Sequence, residues 1–250
     1  MFDAKRLLDQ FIGNQEFGQP QQGGNPANRP QRDLLQQAGH ALSGFGGGAL
    51  AGGLAGLLLG SKSGRKLAGS ALTYGGMAVA GALAYRAYQN WQAGKAATPA
   101  ASAGEPLLPP PSDTPFNPAG EAEQQMLGRH LLRAMISAAK ADGHIDAQEQ
   151  SSIFAQMDRL NVSADDKAFV MDELRRPLDV DAVASAARSP EEAAELYTVS
   201  LLAIDVDNPS ERAYLALLAA RLKLDDKLVA HLHATVEGAT EPAPQPAAAR

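Results

Sequence analysis

A 20-residue segment without any charged side chain, residues 41–60, constrains this chain more than any other feature of its sequence. Glycine recurs there at every fourth position, at Gly44, Gly48, Gly52, Gly56 and Gly60. This spacing places the glycines along one face of a helix, where the backbone of a second helix can approach closely. The length matches the ~20 residues that cross the apolar core of a bilayer. We therefore predict a membrane-spanning helix that self-associates through its glycine face.

A second uncharged run, residues 67–85, follows a short basic turn at 61–66. Aromatic side chains cluster at the far end of this run, as they do at a membrane interface: Tyr85, Tyr88 and Trp91. The two runs together predict a transmembrane hairpin within a glycine-rich membrane segment, 39–91. The alternative is a flexible linker or a pair of Ala- and Leu-rich helices in water, where each helix-interior glycine costs about 1 kcal/mol.

Composition divides the rest of the chain. The start is a short amphipathic helix suited to a membrane surface or to self-association, and the glycine-rich segment is flanked by stretches rich in Gly, Gln and Pro that favour disorder or extended linkers. The predicted order is an amphipathic helix at 1–12, a disordered segment at 13–38, the membrane segment, a Pro-rich linker at 92–120, a helical domain at 121–237 and a disordered tail at 238–250.

The charges are unevenly distributed, although the whole chain has a net charge of only -6. Residues 1–120 hold 9 bases and 6 acids, whereas residues 121–237 hold 12 bases and 21 acids. Because phosphate binding needs a basic surface, the acidic domain argues against a nucleic-acid partner. The chain has no cysteine, so any metal site must be built without thiolates. No catalytic motif is present either, and we expect a protein that is not an enzyme.

Residues 121–237 show helical periodicity throughout, and we expect an all-α domain of about seven helices. Ser163, Ser189 and Asp225 are expected N-caps, and Ser189 begins a capping box followed by proline. The domain also contains an apparent internal repeat: when Glu149 is set on Glu211, the apolar positions that follow coincide, as do the caps. The repeat predicts two helical hairpins related by a pseudo-twofold axis.

Two acidic loops, 142–149 and 205–211, are the main chemical feature of the domain. Their carboxylates could hold a divalent cation of the Ca²⁺ or Mg²⁺ class, with the candidate ligands Asp142, Asp146, Glu149, Asp205, Asp207 and Glu211. A standard EF-hand is excluded, because its first two ligand positions would be Ala138 and Lys140. The alternative is that these acids simply cap helix N-termini.

The stretch 138–149 (AAKADGHIDAQE), together with Asp205 and Glu211, resembles the tellurite-resistance TerB-like domain. The order of a glycine-rich segment, a Pro-rich linker and this domain is similar to a bacterial inner-membrane family of unknown function, DUF533, or the YebE-like proteins. The resemblance implies an all-helical domain whose acidic residues bind a metal or form an interaction surface. Asn208 stands where the first repeat has Asp146, which argues against two symmetric sites.

From these features we expect a membrane-anchored, non-enzymatic adaptor with an unidentified protein partner, in an envelope or metal-stress response. The alternative is a divalent-ion sensor or buffer that uses the two acidic loops. The resemblance places the chain in the bacterial inner membrane. The bases that flank the predicted hairpin favour a cytoplasmic C-terminal domain and the bases in its turn favour the opposite. We place the domain on the cytoplasmic side.

Overall fold

A computed structural model describes residues 3–5, 76–99, 107–141, 163–204, 206 and 209–240. These residues form seven helices and no strand. The helices are α1 (Gly76–Gln92), α2 (Glu121–Ala139), α3 (Ala164–Arg175), α4 (Val180–Ala184), α5 (Pro190–Ala203), α6 (Pro209–Arg221) and α7 (Asp226–Thr240). The prediction of an all-α chain is confirmed to that extent. The first acidic loop and the first half of the internal repeat lie outside the described residues.

Helix α5 is the centre of the fold. Every residue from Glu192 to Ala203 is buried, because the helix is covered on all sides by its neighbours. Its closest packing is against α2 on one side and α1 on another, and α7 in turn packs along α1. A helix that is buried around its whole circumference lies in the interior of a domain, and α5 is such a helix from Glu192 onward. The elements around α5 therefore share one hydrophobic core.

Three of the predicted caps fix where helices begin. The hydroxyl of Ser163 accepts from the backbone N–H of Asp166 at 3.2 Å, and Ser189 accepts from that of Glu192 at 3.2 Å. The Asp225 carboxylate accepts from the backbone N–H of Lys227 at 2.8 Å, at the start of α7. Each bond satisfies a helix N–H that has no partner within its own helix.

Helix α1 belongs to the core of the domain, which differs from the transmembrane span predicted for residues 67–85. Val79, Leu83 and Ala87 are buried against α5 and α7. An uncharged run of small residues can be buried in a protein core as well as in lipid, so the sequence pattern alone does not separate the two. Among the described residues, no helix is both long and apolar enough to cross a membrane. The predicted span 41–60, with its five spaced glycines, lies outside them.

Part of the predicted Pro-rich linker packs on α1. The ring of Phe116 lies edge-on to Tyr85 and Tyr88, with ring centroids 5.5 and 5.7 Å away. Gly81 lets this segment come close, because a Cβ at that position would lie 2.8 Å from the Phe116 carbonyl oxygen and 3.0 Å from Oε1 of Glu195. Helix α1 is thus held between the 107–118 segment and α5.

Candidate functional site

The predicted metal ligands can be compared with the structure at one position. Glu211 lies half-buried in the first turn of α6, whereas Asp142, Asp146, Glu149, Asp205 and Asp207 fall outside the described residues. No group of three His, Asp or Glu side chains that could hold an ion occurs in the parts of the chain that are described. The cation site therefore stays a prediction from the sequence.

A groove beside the second acidic loop is a candidate binding site. It lies between α6 and α7, has a volume of about 450 Å³, and is walled mainly by apolar side chains. Leu215, Ala216 and Ala219 of α6 face Val229 of α7 across it. Arg212 closes the end nearest the loop, where its Nη1 donates to the carbonyl oxygen of Val206 at 3.0 Å. Grooves with apolar walls and a few polar groups are typical binding sites.

Besides the charged side chains of Arg212 and Asp226, the groove is lined by two polar aromatic groups, Tyr197 of α5 and His233 of α7. The Tyr197 hydroxyl and His233 Nε2 are hydrogen-bonded at 2.9 Å, with ring centroids 5.8 Å apart. Burial raises the pKa of Tyr197 to about 12, so the phenol keeps its proton. Burial also lowers the pKa of His233 below its ordinary value, although Glu237 opposes this, so the imidazole is neutral at pH 7. The pair is therefore uncharged, and its hydrogen bond joins α5 to α7 beside the groove.

One face of α6 continues the apolar surface of the groove outward. Its exposed positions are apolar at the spacing of a helix stripe, at Ala213, Ala216, Leu217 and Ala220. The opposite face carries Tyr214, Leu215 and Leu218 and is buried in the core. Leu217 keeps 44% of its surface exposed, which is high for a large apolar side chain. Because α6 is apolar on the core side and on the solvent side, its outer face is suited to covering by another helix.

Four carboxylates are buried elsewhere in the described part of the domain, and two of them, Glu192 and Glu173, are paired with basic side chains. Glu192 of α5 accepts from Arg188 and lies 2.7 Å from Nδ1 of His130. Burial alone would raise the pKa of Glu192, but the hydrogen bonds from His130 and Arg188 outweigh it and lower the pKa. Glu173 of α3 is paired with Arg133 of α2 at 2.6 Å. These two networks hold α2 against α5 and α3.

Glu195 is the exception among these buried carboxylates, because the other three accept hydrogen bonds. Its side chain is on α5, is fully buried, and has no hydrogen-bond partner for either carboxylate oxygen among the described residues. Burial, reinforced by the nearby charge of Glu192, raises its pKa well above the ordinary value of 4.5. Since an isolated carboxylate is very costly to bury, this acid is held in its neutral form.

The sequence pattern predicted one residue that lines the groove, Leu215, but not the contact between Tyr197 and His233. The periodic Leu215 predicted a core position, and it is buried. Tyr197 and His233 lie 36 positions apart in the chain, and no local pattern joins them. His231 is two residues before His233, so it lies on another face of α7, where it is buried away from the groove that His233 lines.

Comparison with known proteins matches the chain to relatives without an assigned function. The family model described as "Protein of unknown function (DUF533)" matches residues 44–236. The chain is 38% identical over 96 residues to a protein of Yersinia enterocolitica described as "Uncharacterized protein in ampR 5'region". That match covers 38% of this chain and 69% of the relative. No solved structure matches the chain. Since the family model covers most of the sequence, the chain belongs to the DUF533 family.

Proposed function

We propose that this protein is a membrane-anchored, non-enzymatic adaptor whose helical domain binds an amphipathic helix of a partner protein. The observation that carries the proposal is the apolar outer face of α6, which borders the groove over Tyr197 and His233. Small side chains at positions 213, 216 and 220 allow a second helix to approach closely, and Leu217 provides a large apolar contact. The neutral Tyr197–His233 pair adds a hydrogen-bonding group without adding a charge.

The anchor in this proposal is the segment 41–60. Its support is the uncharged length and the glycine face of the sequence, and the same face supports self-association in the membrane. We place the protein in the bacterial inner membrane with the domain on the cytoplasmic side, in line with its resemblance to inner-membrane TerB-like and YebE-like proteins. Because α1 is built into the domain, one span is the simpler form of the anchor.

Anchoring is tested by fractionating cells that express the full chain. We expect it to remain in the membrane pellet after alkaline carbonate, and a Leu50→Arg, Leu54→Arg variant to be released, because two charges near the centre of a span are expensive. The matched control places the same charges at Gln21 and Gln22, outside the predicted span, and leaves anchoring intact. Release of the unaltered chain by carbonate would contradict the anchor.

Partner binding is tested with two similarly exposed leucines. Leu217→Asp places a charge on the α6 face, whereas Leu178→Asp places one between α3 and α4, where the leucine is 41% exposed. Of the two variants, we expect only Leu217→Asp to lose the proteins that co-purify with the chain from detergent-solubilised membranes. Equal behaviour of the two variants would remove the α6 face as the binding surface.

The second candidate function is that of a divalent-ion sensor. Its support is that Val206, in the second acidic loop, is bonded to Arg212 at the end of the groove, so an ion that orders the loop would reshape the groove. The test is calorimetric titration of the purified chain with Ca²⁺ and Mg²⁺. The sensor predicts binding that Asp205→Asn weakens, and an absence of binding heat would exclude it.

A further inference from the structure

Residues 3–5 of the chain lie in a notch on the domain. Residues 3–5, here called the N-terminal strap, cross α2 at Gly128. A Cβ on Gly128 would lie 3.0 Å from the backbone nitrogen of Lys5 and 3.2 Å from the carbonyl carbon of Ala4. Ala4 is fully buried in the notch. The backbone of the strap therefore occupies the space that any other residue at position 128 would fill with its side chain.

Polar contacts hold the strap on both sides of this notch. The backbone N–H of Asp3 donates to Oδ1 of Asp166 on α3 at 2.8 Å, and Asp166 is itself buried. The Asp3 carboxylate accepts from Nε2 of Gln125 at 2.8 Å, and Nζ of Lys5 donates to Oε1 of Gln124 at 3.0 Å. These hydrogen bonds join backbone and side-chain groups of the strap to both α2 and α3. They therefore fix which residues occupy the notch and the direction in which the chain runs through it.

The position of the strap constrains how the chain can be threaded through a membrane. The strap and α1 are bound to the same domain, so the segment between them must begin and end on one side of any membrane. The segment 41–60 supplies one crossing. A return crossing could come only from 6–40 or from 61–75. The first stretch is interrupted by charges at Arg6, Asp9, Glu16, Arg29, Arg32 and Asp33, and the second has 15 residues with Lys62, Arg65 and Lys66, so neither supplies the ~20 apolar residues that a span requires.

We propose that the notch at Gly128 is a docking site for the N-terminal strap, and that occupancy of this site and a single crossing by residues 41–60 are mutually exclusive states of the chain. The inference rests on the proposed membrane anchor. In the docked state the anchor is held off the membrane or lies at its surface. In the inserted state the strap is on the far side of the membrane, and the notch is open. The strap thus acts as a latch on insertion.

The docked state can be trapped with a crosslinker between two introduced cysteines. No other thiol competes for the crosslinker, because the chain has no native cysteine. Lys5→Cys with Gln124→Cys places two thiols at the strap contact, and a short bismaleimide should join them within one chain. Arg221→Cys replaces Gln124→Cys in the control pair, since Arg221 contacts Asp181 of α4 and has no contact with the strap. Failure of the first pair to crosslink above the control pair, or crosslinking only between chains, would overturn the docking site.

Insertion is then measured with vesicles of phosphatidylethanolamine and phosphatidylglycerol. We expect the crosslinked full chain to lose carbonate-resistant insertion, and the same variant without crosslinker to retain it. Insertion of the crosslinked chain at the level of the open chain would overturn the latch and leave the anchor standing. If neither form inserts while the crosslink still forms, the anchor fails, and the latch on insertion fails with it.

Substitutions of Gly128 that displace the strap should have the opposite effect to the crosslink and favour insertion. Gly128→Leu fills the space of the strap, so we expect crosslinking of the Cys pair to be lost and vesicle insertion to rise. Gly128→Ala adds only one methyl group and is the variant to use if the leucine disturbs folding, which far-UV circular dichroism reports. Unchanged crosslinking in both folded variants would contradict the docking geometry.

Discussion

Glu195 is fully buried without a hydrogen-bond partner among the described residues, and its effect on folding depends on pH. In the unfolded chain the carboxyl ionises near its ordinary pKa of 4.5, whereas in the folded domain burial and the charge of Glu192 raise that pKa. As pH rises above 4.5, the unfolded state therefore loses the proton first and becomes relatively more stable. His130 and Arg188 affect the pKa of Glu195 indirectly, because they stabilise the charged form of Glu192.

We predict that Glu195→Met stabilises the domain at pH 7 by about 1–3 kcal/mol, the range for relieving a buried polar group without a partner. The gain over the unaltered chain should be smallest near pH 4 and grow as pH rises. Urea denaturation at several pH values measures it. A gain that is independent of pH, or a loss at pH 7, would show that the carboxyl is paired in solution.

At the scale of the elements, the fold depends on the close approach of α1 to α5 and to the 107–118 segment. Gly81→Ala would place a methyl group 2.8 Å from the Phe116 carbonyl oxygen, which is backbone and cannot easily move. We predict a loss of about 1–3 kcal/mol from overpacking. Gly120→Ala is the control, because its new methyl group would meet only the flexible side chain of Glu123. Stabilisation by Gly81→Ala in thermal unfolding would contradict the packing of α1.

The sequence was informative about the helices that carry clear periodicity and caps. Ser163, Ser189 and Asp225 start helices as predicted, because a cap depends only on residues within one turn. The location of α1 was not predictable in the same way, since lipid and a protein core select the same uncharged side chains. The contact between Tyr197 and His233 depends on how α5 and α7 pack, which no local pattern encodes.

At the scale of the whole molecule, the unit that folds includes residues well before 121. Val79 and Leu83 of α1 are buried against α5 and α7, and each large side chain contributes about 1.5–3 kcal/mol when it is buried. We predict that a chain beginning at residue 76 unfolds cooperatively in urea. A chain beginning at residue 121 should unfold at much lower urea or without cooperativity. Equal midpoints would show that α1 is dispensable.

The adaptor hypothesis makes one prediction that can be checked at a single side chain in living cells. A photo-crosslinking amino acid at position 217 would report what lies against the outer face of α6, and the same probe at position 178 would report an equally exposed leucine elsewhere. The adaptor predicts one defined protein adduct at 217, found in the membrane fraction, absent at 178 and lost when Ala220→Arg is added. Adducts of equal pattern at both positions, or none at 217, would contradict it.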